Sequence, residues 1–309
     1  MSIDGPNPDI LKNKTIAIIG FGNQGKAQAQ NLRDSGLHVV IGLRTASKSS
    51  LDALKLGFKV LGIAEACKTS DVRALLIPDE YQSEVFASCI QHHLFPGKTL
   101  LFAHGFNIHF KKIIPPQNID VLMVSPKASG YILRSKFENK ESVPFFYAIH
   151  QNVTGEATKC AYAYITALGG TTDSIYQTTF KDETIADLFS EQVVLCGGIP
   201  ELIKQAYLTL IEAGISAETA YFECIYEVKL ITDLIISKGI NNFYQSISNT
   251  AEYGGRLAGK KIINQSTKDT MKKILKEIED QTFSENFLKD SSIGYPELKR
   301  LREQNINLD

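Results

Sequence analysis

Two carboxylate pairs offer the most specific chemistry in this sequence: Asp187 with Glu191, and Glu223 with Glu227. The members of each pair are four residues apart, so on a helix they share one side. Such pairs are common on solvated surfaces, but here the neighbours point inward. At roughly 100° per residue, Glu223 and Glu227 fall in one stripe with Leu230 and Leu234, flanked by Phe222, Ile225 and Ile236. Asp187 and Glu191 are bracketed by Leu188, Val194 and Leu195. Helices apolar nearly all round are buried helices. Buried carboxylates repel one another and lose solvation unless a cation compensates. Four acids with no Cys or His beside them suit a hard, oxygen-preferring ion such as Mg²⁺, which can sit as a pair bridged by one acid. A buried Lys/Arg network is the alternative.

A second feature lies near the N-terminus. Gly20-Phe21-Gly22-Asn23-Gln24-Gly25 follows an apolar run, Thr15–Ile19, and opens a helical pattern. In a strand–turn–helix the first glycine makes the tight turn, the second lets a pyrophosphate approach the backbone, and the third packs helix on strand. The helix N-terminus then offers amides to the phosphates. Gly20, Gly22, Gln24 and Gly25 are therefore the expected cofactor contacts. The following strand ends Gly42-Leu43-Arg44, where an NAD enzyme would place an acid for the ribose hydroxyls. Arg44, with Ser47 and Ser49 beyond it, suits a 2′-phosphate and so NADPH. A solvated loop is the alternative. His104 ends one strand pattern and Lys127 follows another, at the edge where ligands bind in such sheets. Their alternatives are a structural histidine and a solvated lysine.

These residues need elements to hold them. Short, largely uncharged runs at Thr15–Gly20, His38–Leu43, Val72–Pro78, Thr99–His104, Val121–Pro126 and Phe145–His150 predict strands buried on both faces of a parallel sheet. The pattern Gly25–Ser35 between the first two predicts the crossover helix of a doubly wound α/β fold. Beyond Gly169-Gly170 helical patterns take over: Thr184–Cys196, Pro200–Ala213, Ala217–Ser237, Asn242–Gly255 and Thr267–Thr282. Two domains are expected, a Rossmann-type domain over 1–178 and an all-helical one over 179–309, with Ser292–Asp309 a partly ordered, basic tail.

Composition narrows the function. The 309 residues carry Lys+Arg 33 against Asp+Glu 34, a net charge of −1. That balance leaves no electrostatic footprint for nucleic acid or an anionic membrane. Five widely spaced cysteines without Cys-x-x-Cys read as reduced, mostly buried thiols. Met1–Ile10 lacks the pattern of a signal peptide, and no stretch reads as an uncharged membrane span. A soluble, cytoplasmic protein is expected.

The chain resembles the ketol-acid reductoisomerases, also called acetohydroxyacid isomeroreductases, of the short-chain class. The resemblance rests on the glycine turn, Pro78-Asp79-Glu80-Tyr81-Gln82, Ala103-His104-Gly105-Phe106 and Thr179-Phe180-Lys181-Asp182-Glu183-Thr184. It continues through Asp187-Leu188-Phe189-Ser190-Glu191-Gln192, Val194-Leu195-Cys196-Gly197-Gly198, Ala220-Tyr221-Phe222-Glu223, Lys229-Leu230-Ile231 and Ser246–Gly254. It implies a helical, knotted second domain and the conversion of 2-acetolactate or 2-aceto-2-hydroxybutyrate to 2,3-dihydroxy acids in valine and isoleucine synthesis. It further implies that Asp187 bridges two Mg²⁺, that Glu191 binds one, and that Glu223 and Glu227 complete the other. Catalytic roles are implied for His104, Lys127, Glu191 and Glu227, and contact with the substrate carboxylate for Ser248, which could equally cap a helix. Arg44, Ser47 and Ser49 match the NADPH-phosphate loop. The implied assembly is a homodimer or higher homo-oligomer whose sites borrow the second helix pair from the partner.

The sequence also departs from the family. Ala128-Ser129-Gly130-Tyr131 stands where Gly-Pro-Gly-His is usual, and Ser135–Val143 lacks the usual glycines. The chain ends soon after Arg302-Glu303-Gln304-Asn305, short of the family's usual C-terminal segment, and has no Trp. Two other readings stay open: a paralogue reducing another 2-keto acid without alkyl migration, and a non-catalytic NADPH-binding protein.

Overall fold

The computed structural model describes residues 8–304; the expectations for residues 1–7 and 305–309 lie outside them. The chain divides into two compact units. One runs to Thr184 and resumes at Phe287, and the other is Ile185–Asn286. By compactness the division falls after Thr184, and the chain returns to its first unit at Phe287.

In the first unit eight strands form one sheet: β1 (Thr15–Ile19), β2 (His38–Leu43), β3 (Lys59–Gly62), β4 (Val72–Leu75), β5 (Thr99–Phe102), β6 (Asp120–Pro126), β7 (Phe145–Gln151) and β8 (Ile175–Gln177). Their order is β3-β2-β1-β4-β5-β6-β7-β8. The doubly wound Rossmann-type sheet is as expected, with one correction. β7 runs antiparallel to β6, with a register irregularity at Val121/Leu122, so the sheet is not wholly parallel. The short β3 and β8 were not foreseen. β3 is only partly buried and β8 is mostly exposed, so neither carries the apolar run of a central strand.

Alternation along each central strand explains why both faces are covered. Ile16, Ile18, Ile41, Leu101, Leu122 and Val124 enter one core. Their neighbours Ala17, Ile19, Val40, Leu100, Val121 and Met123 enter the other. The helices of this unit are α1 (Asn23–Asp34), α2 (Ser49–Lys55), α3 (Ile63–Thr69), α4 (Asp79–Val85), α5 (Phe106–His109), α6 (Gly130–Glu138) and α7 (Ala157–Ala167). Arg73 of β4 is fully buried, yet its guanidinium is satisfied by the carbonyls of Cys67, Asp71 and His93.

α8 (Phe180–Ser190) begins in the first unit. The second unit holds α9 (Gly198–Glu212), α10 (Ala217–Tyr221), α11 (Glu227–Lys238), α12 (Asn249–Ile262), α13 (Gln265–Glu279) and the start of α14 (Thr282–Ser292). Ser216, Ser248 and Asn264 cap the N-termini of α10, α12 and α13. The long pattern Ala217–Ser237 is helical but interrupted. A π-helical turn, Phe222–Tyr226, lies between α10 and α11, and another, Glu191–Leu195, follows α8. Such turns insert a residue into the helical stripe and are frequent at functional sites. Within the expected tail, α15 (Pro296–Glu303) is helical and belongs to the first unit. The Tyr295 hydroxyl donates to Glu80 of α4 at 2.5 Å, and that carboxylate pushes the phenol up to about 12.

The structure bears on three further expectations. The helices of the second unit are not buried within the single chain: Leu195 (57%), Tyr226 (57%) and Ile236 (78%) are exposed. The run Phe180–Glu212 is long and apolar enough, by length and composition only, to cross a membrane. The cysteines are free but less uniformly buried than expected, with Cys67 and Cys160 buried and Cys196 exposed.

Candidate active site

Two features meet at the carboxyl edge of the sheet, where the strand order reverses beside β1 and ligands bind in open α/β folds. The first is a cleft of about 270 Å³ lined by Gly20, Gly22, Arg44, Ser47, Ser49 and, across from them, residues from Leu76 to Val85. Gly20 has φ +104°, and a Cβ there would lie 2.7 Å from the Leu76 carbonyl oxygen. A Cβ on Gly25 would lie 2.4 Å from the Gly20 oxygen, so helix and turn approach this closely only because Gly25 has no side chain. Gly22 meets nothing within 4 Å and leaves its face open. It also starts α1 without a side-chain cap, so the first helical amides remain available to a phosphate. The residues present therefore fit a dinucleotide. Arg44 is exposed at the rim, with Ser47 and Ser49 half-buried beside it.

The second feature is a buried carboxylate that the sequence reading passed over. The Glu183 side chain is only 1% exposed. Its Oε1 accepts from Ser125 Oγ at 2.9 Å and Lys127 Nζ at 3.0 Å, both at the end of β6. Its Oε2 accepts from the Gly105 amide at 3.2 Å. The close approach of α8 to this loop requires Gly105, where a Cβ would lie 2.3 Å from Thr184 Oγ1 and 2.7 Å from the Phe180 oxygen. Lys127 Nζ also sits 5.0 Å from the centre of the Phe146 ring.

His104, just beyond β5, lies between two acids. Its Nε2 is 3.9 Å from Glu183 Oε2, and its Nδ1 is 3.1 Å from Asp79 Oδ2. Asp79 is held in turn: Oδ1 accepts from Gln82 Nε2 at 3.0 Å, and its carbonyl from Asn107 Nδ2 at 2.9 Å. Gln82 and Asn107 are buried and bonded to each other at 3.1 Å. Such a satisfied polar network fixes the orientation of the imidazole. The ends of β4, β5 and β6 thus deliver Asp79, His104 and Lys127 to one place, and α8 brings Glu183. A signal for Glu183 was present in the sequence, because it precedes Asp187 by four residues and Glu191 by eight on one helical face.

The expected metal ligands are placed less uniformly. Asp187 is half-buried one turn beyond Glu183 on α8, while Glu191, Glu223 and Glu227 are exposed in the single chain. Among the described residues, these three do not join a group of three or more possible ligands within 4.8 Å. The expectation that all four acids are buried in an apolar stripe is therefore corrected. Glu191, Glu223 and Glu227 are open to solvent in the single chain. Ser248 is exposed, and its Oγ caps α12 by accepting from the Ala251 amide at 3.2 Å. The Gln24 side chain turns to the protein, donating to the Ala128 carbonyl at 2.8 Å.

Comparison with known proteins bears on this geometry. Residues 10–173 match the family model for the acetohydroxy acid isomeroreductase NADPH-binding domain. Residues 180–308 match that for the ketol-acid reductoisomerase C-terminal domain. An NADH-preferring ketol-acid reductoisomerase from an uncultured archean is 44% identical, with a TM-score of 0.92 over 96% of this chain and 92% of that one. More distant likenesses share the fold alone. A semialdehyde dehydrogenase NAD-binding protein from Cupriavidus necator is 15% identical, with a TM-score of 0.69 over 87% of this chain and 99% of that one. Pyrroline carboxylate reductase from Plasmodium falciparum is 16% identical, with a TM-score of 0.57 over 86% and 97%.

Proposed function

This chain belongs to the ketol-acid reductoisomerase family, and from that premise we propose an NADPH- and Mg²⁺-dependent enzyme acting on 2-acetolactate or 2-aceto-2-hydroxybutyrate. The product is a 2,3-dihydroxy acid of branched-chain amino-acid synthesis, formed by alkyl migration and then reduction. The observation that carries the reading is the buried Glu183, joined to Lys127 and facing His104 at the same sheet edge as the glycine-lined cleft.

When bound, the nicotinamide supplies the hydride. Magnesium, when bound, polarises the substrate carbonyl and loosens its hydroxyl proton. The chain's own residues position the substrate and handle protons. Alkyl migration turns the substrate hydroxyl into a carbonyl and the neighbouring carbonyl into a hydroxyl, so one proton passes between those oxygens, and the later hydride transfer needs a second proton on the reduced oxygen. Glu183 Oε2 and His104 Nε2 face each other and are suited to hold that proton. The Lys127 ammonium and Ser125 hydroxyl keep Oε1 of the carboxylate anchored, and Asp79 prevents the imidazole from turning. Positioning of this kind is what a two-step reaction at one carbon requires.

The donor set at Asp187, Glu191, Glu223 and Glu227 is all carboxylate and fits a hard ion. In this reading Asp187 and Glu191 would hold the ions from this chain. Glu223 and Glu227, exposed in the single chain, complete the set from a partner copy, and Ser248 at the start of α12 receives the substrate carboxylate.

The test is NADPH oxidation with 2-acetolactate and with 3-hydroxy-3-methyl-2-oxobutanoate, each with and without Mg²⁺. Turnover of both, with loss of the first in Asp187→Asn, is expected. Full activity of Asp187→Asn on 2-acetolactate would make the acids structural. The changed loop Ala128–Tyr131 favours a second reading, a reductase without the alkyl shift. A wild type that reduces only the rearranged keto acid would select it.

A further inference from the structure

Gln24 stands inside the glycine turn, yet its amide bonds to protein at both ends. Nε2 donates to the Ala128 carbonyl at 2.8 Å, and Oε1 accepts from Gln28 Nε2 at 3.0 Å. Gln28 is fully buried, and its Oε1 accepts from the Tyr164 hydroxyl at 2.8 Å. Tyr164 is itself fully buried in α7, and burial pushes its phenol far up, so it remains a donor. The Ala128 carbonyl at the far end can only accept, and it fixes each amide in turn. Gln28 must show oxygen to Tyr164 and nitrogen to Gln24, and Gln24 must show nitrogen to Ala128. The series is polarised in one direction and ends on the residue next to Lys127.

A second contact lies two residues further on. A Cβ on Gly130 would fall 2.0 Å from the Asn23 carbonyl oxygen, so the loop rests directly on the first turn of α1. Both attachments use main chain or a missing side chain. They are therefore indifferent to Ser129 and Tyr131, where the chain departs from its family. Ser129 caps α6, and Tyr131 is exposed. On its other side Lys127 is fixed through its amide to the Pro144 carbonyl at 2.8 Å and its Nζ to Glu183.

We propose that Gln24 is a positioning residue that ties the Lys127 loop to the glycine turn, so that seating the dinucleotide also sets the Lys127–Glu183 pair. This rests on the reading above that the turn takes a dinucleotide.

Hydrogen–deuterium exchange of the full chain with and without NADPH tests the idea apart from activity. In the wild type NADPH slows exchange in segments 20–28 and 127–134 together. In Gln24→Met, close in shape but without the donor, NADPH protects the first segment and no longer the second. Turnover of the rearranged keto acid at saturating NADPH falls about tenfold, what one lost hydrogen bond is worth, while NADPH affinity stays within about twofold. Persisting protection of 127–134 in Gln24→Met overturns the proposal. So does weaker NADPH binding with unchanged turnover, which would make the side chain a cofactor ligand. If NADPH protects only 20–28 in the wild type, the inference fails while the cofactor reading stands; if it protects neither, both fail. Should Gln24→Met not fold, Gln24→Asn, one methylene too short to reach Ala128, is read in the same way.

Discussion

Arg44 is the residue on which cofactor choice turns. It stands at the end of β2, exposed at the rim of the cleft with Ser47 and Ser49. A guanidinium there can pair with a 2′-phosphate that only NADPH carries. Arg44→Asp is expected to weaken NADPH binding by about 1.5–3 kcal/mol, the worth of hydrogen bonds to a charged group, and to leave NADH less affected. Titration of both cofactors into wild type and variant checks this. Equal wild-type affinity for the two would remove the argument, and the 44%-identical relative, described as NADH-preferring, makes that comparison necessary. Glu183 shows the other side of reading single residues. An acid inside a helical repeat looks like one more surface charge until Ser125, Lys127 and Gly105, more than 50 positions away, are seen to surround it.

Among the elements, the amino edge of the sheet makes the clearest prediction. Asp71, just before β4, accepts from the Thr15 amide at the start of β1 and from Lys98 just before β5. Burial pushes its carboxyl up, but the Lys98 hydrogen bond, the Thr15 amide and the nearby cations outweigh that and hold it below the usual 3.8. A depressed folded pKa contributes stability above the unfolded value, and that contribution disappears as pH falls through the folded one. Melting temperatures of wild type and Asp71→Asn should therefore differ at pH 7 and converge as pH drops below about 4. An undiminished gap in acid would mean that the charge is irrelevant. At the same scale, β1, β2, β5 and β6 were legible because runs buried on both faces have few other interpretations. The π-turns were not. An extra residue in a turn leaves no mark in residue type, so Ala217–Ser237 reads as one uniform helix although Phe222–Tyr226 widens it beside Glu223 and Glu227.

At the scale of the whole molecule, the second unit exposes apolar side chains on several helices. Leu202, Tyr221, Phe222, Tyr226, Leu230 and Leu257 are all about half exposed. Exposed apolar side chains gathered on the helices of one unit point to an interaction surface. A second copy of the chain is the expected cover, since the same helices carry the proposed metal ligands Glu191, Glu223 and Glu227. Sedimentation should give two chains or a multiple. A single-chain species at all concentrations would leave those acids without the partner that the reading requires.

Residue spacing by itself determined the glycine turn and its strand–helix setting, the basic and hydroxyl residues after β2, and the paired acids. Each of these is a local pattern dictated by backbone periodicity or by the steric needs of a turn. Only the tertiary structure decided which groups meet. It made Glu183 the buried acid, placed Asp79 behind His104 and turned Gln24 toward Ala128. It also reversed β7 and left Glu191, Glu223 and Glu227 open to solvent in a single chain. Those outcomes depend on strands and helices distant in sequence arriving at one edge, and no local window of sequence contains that information.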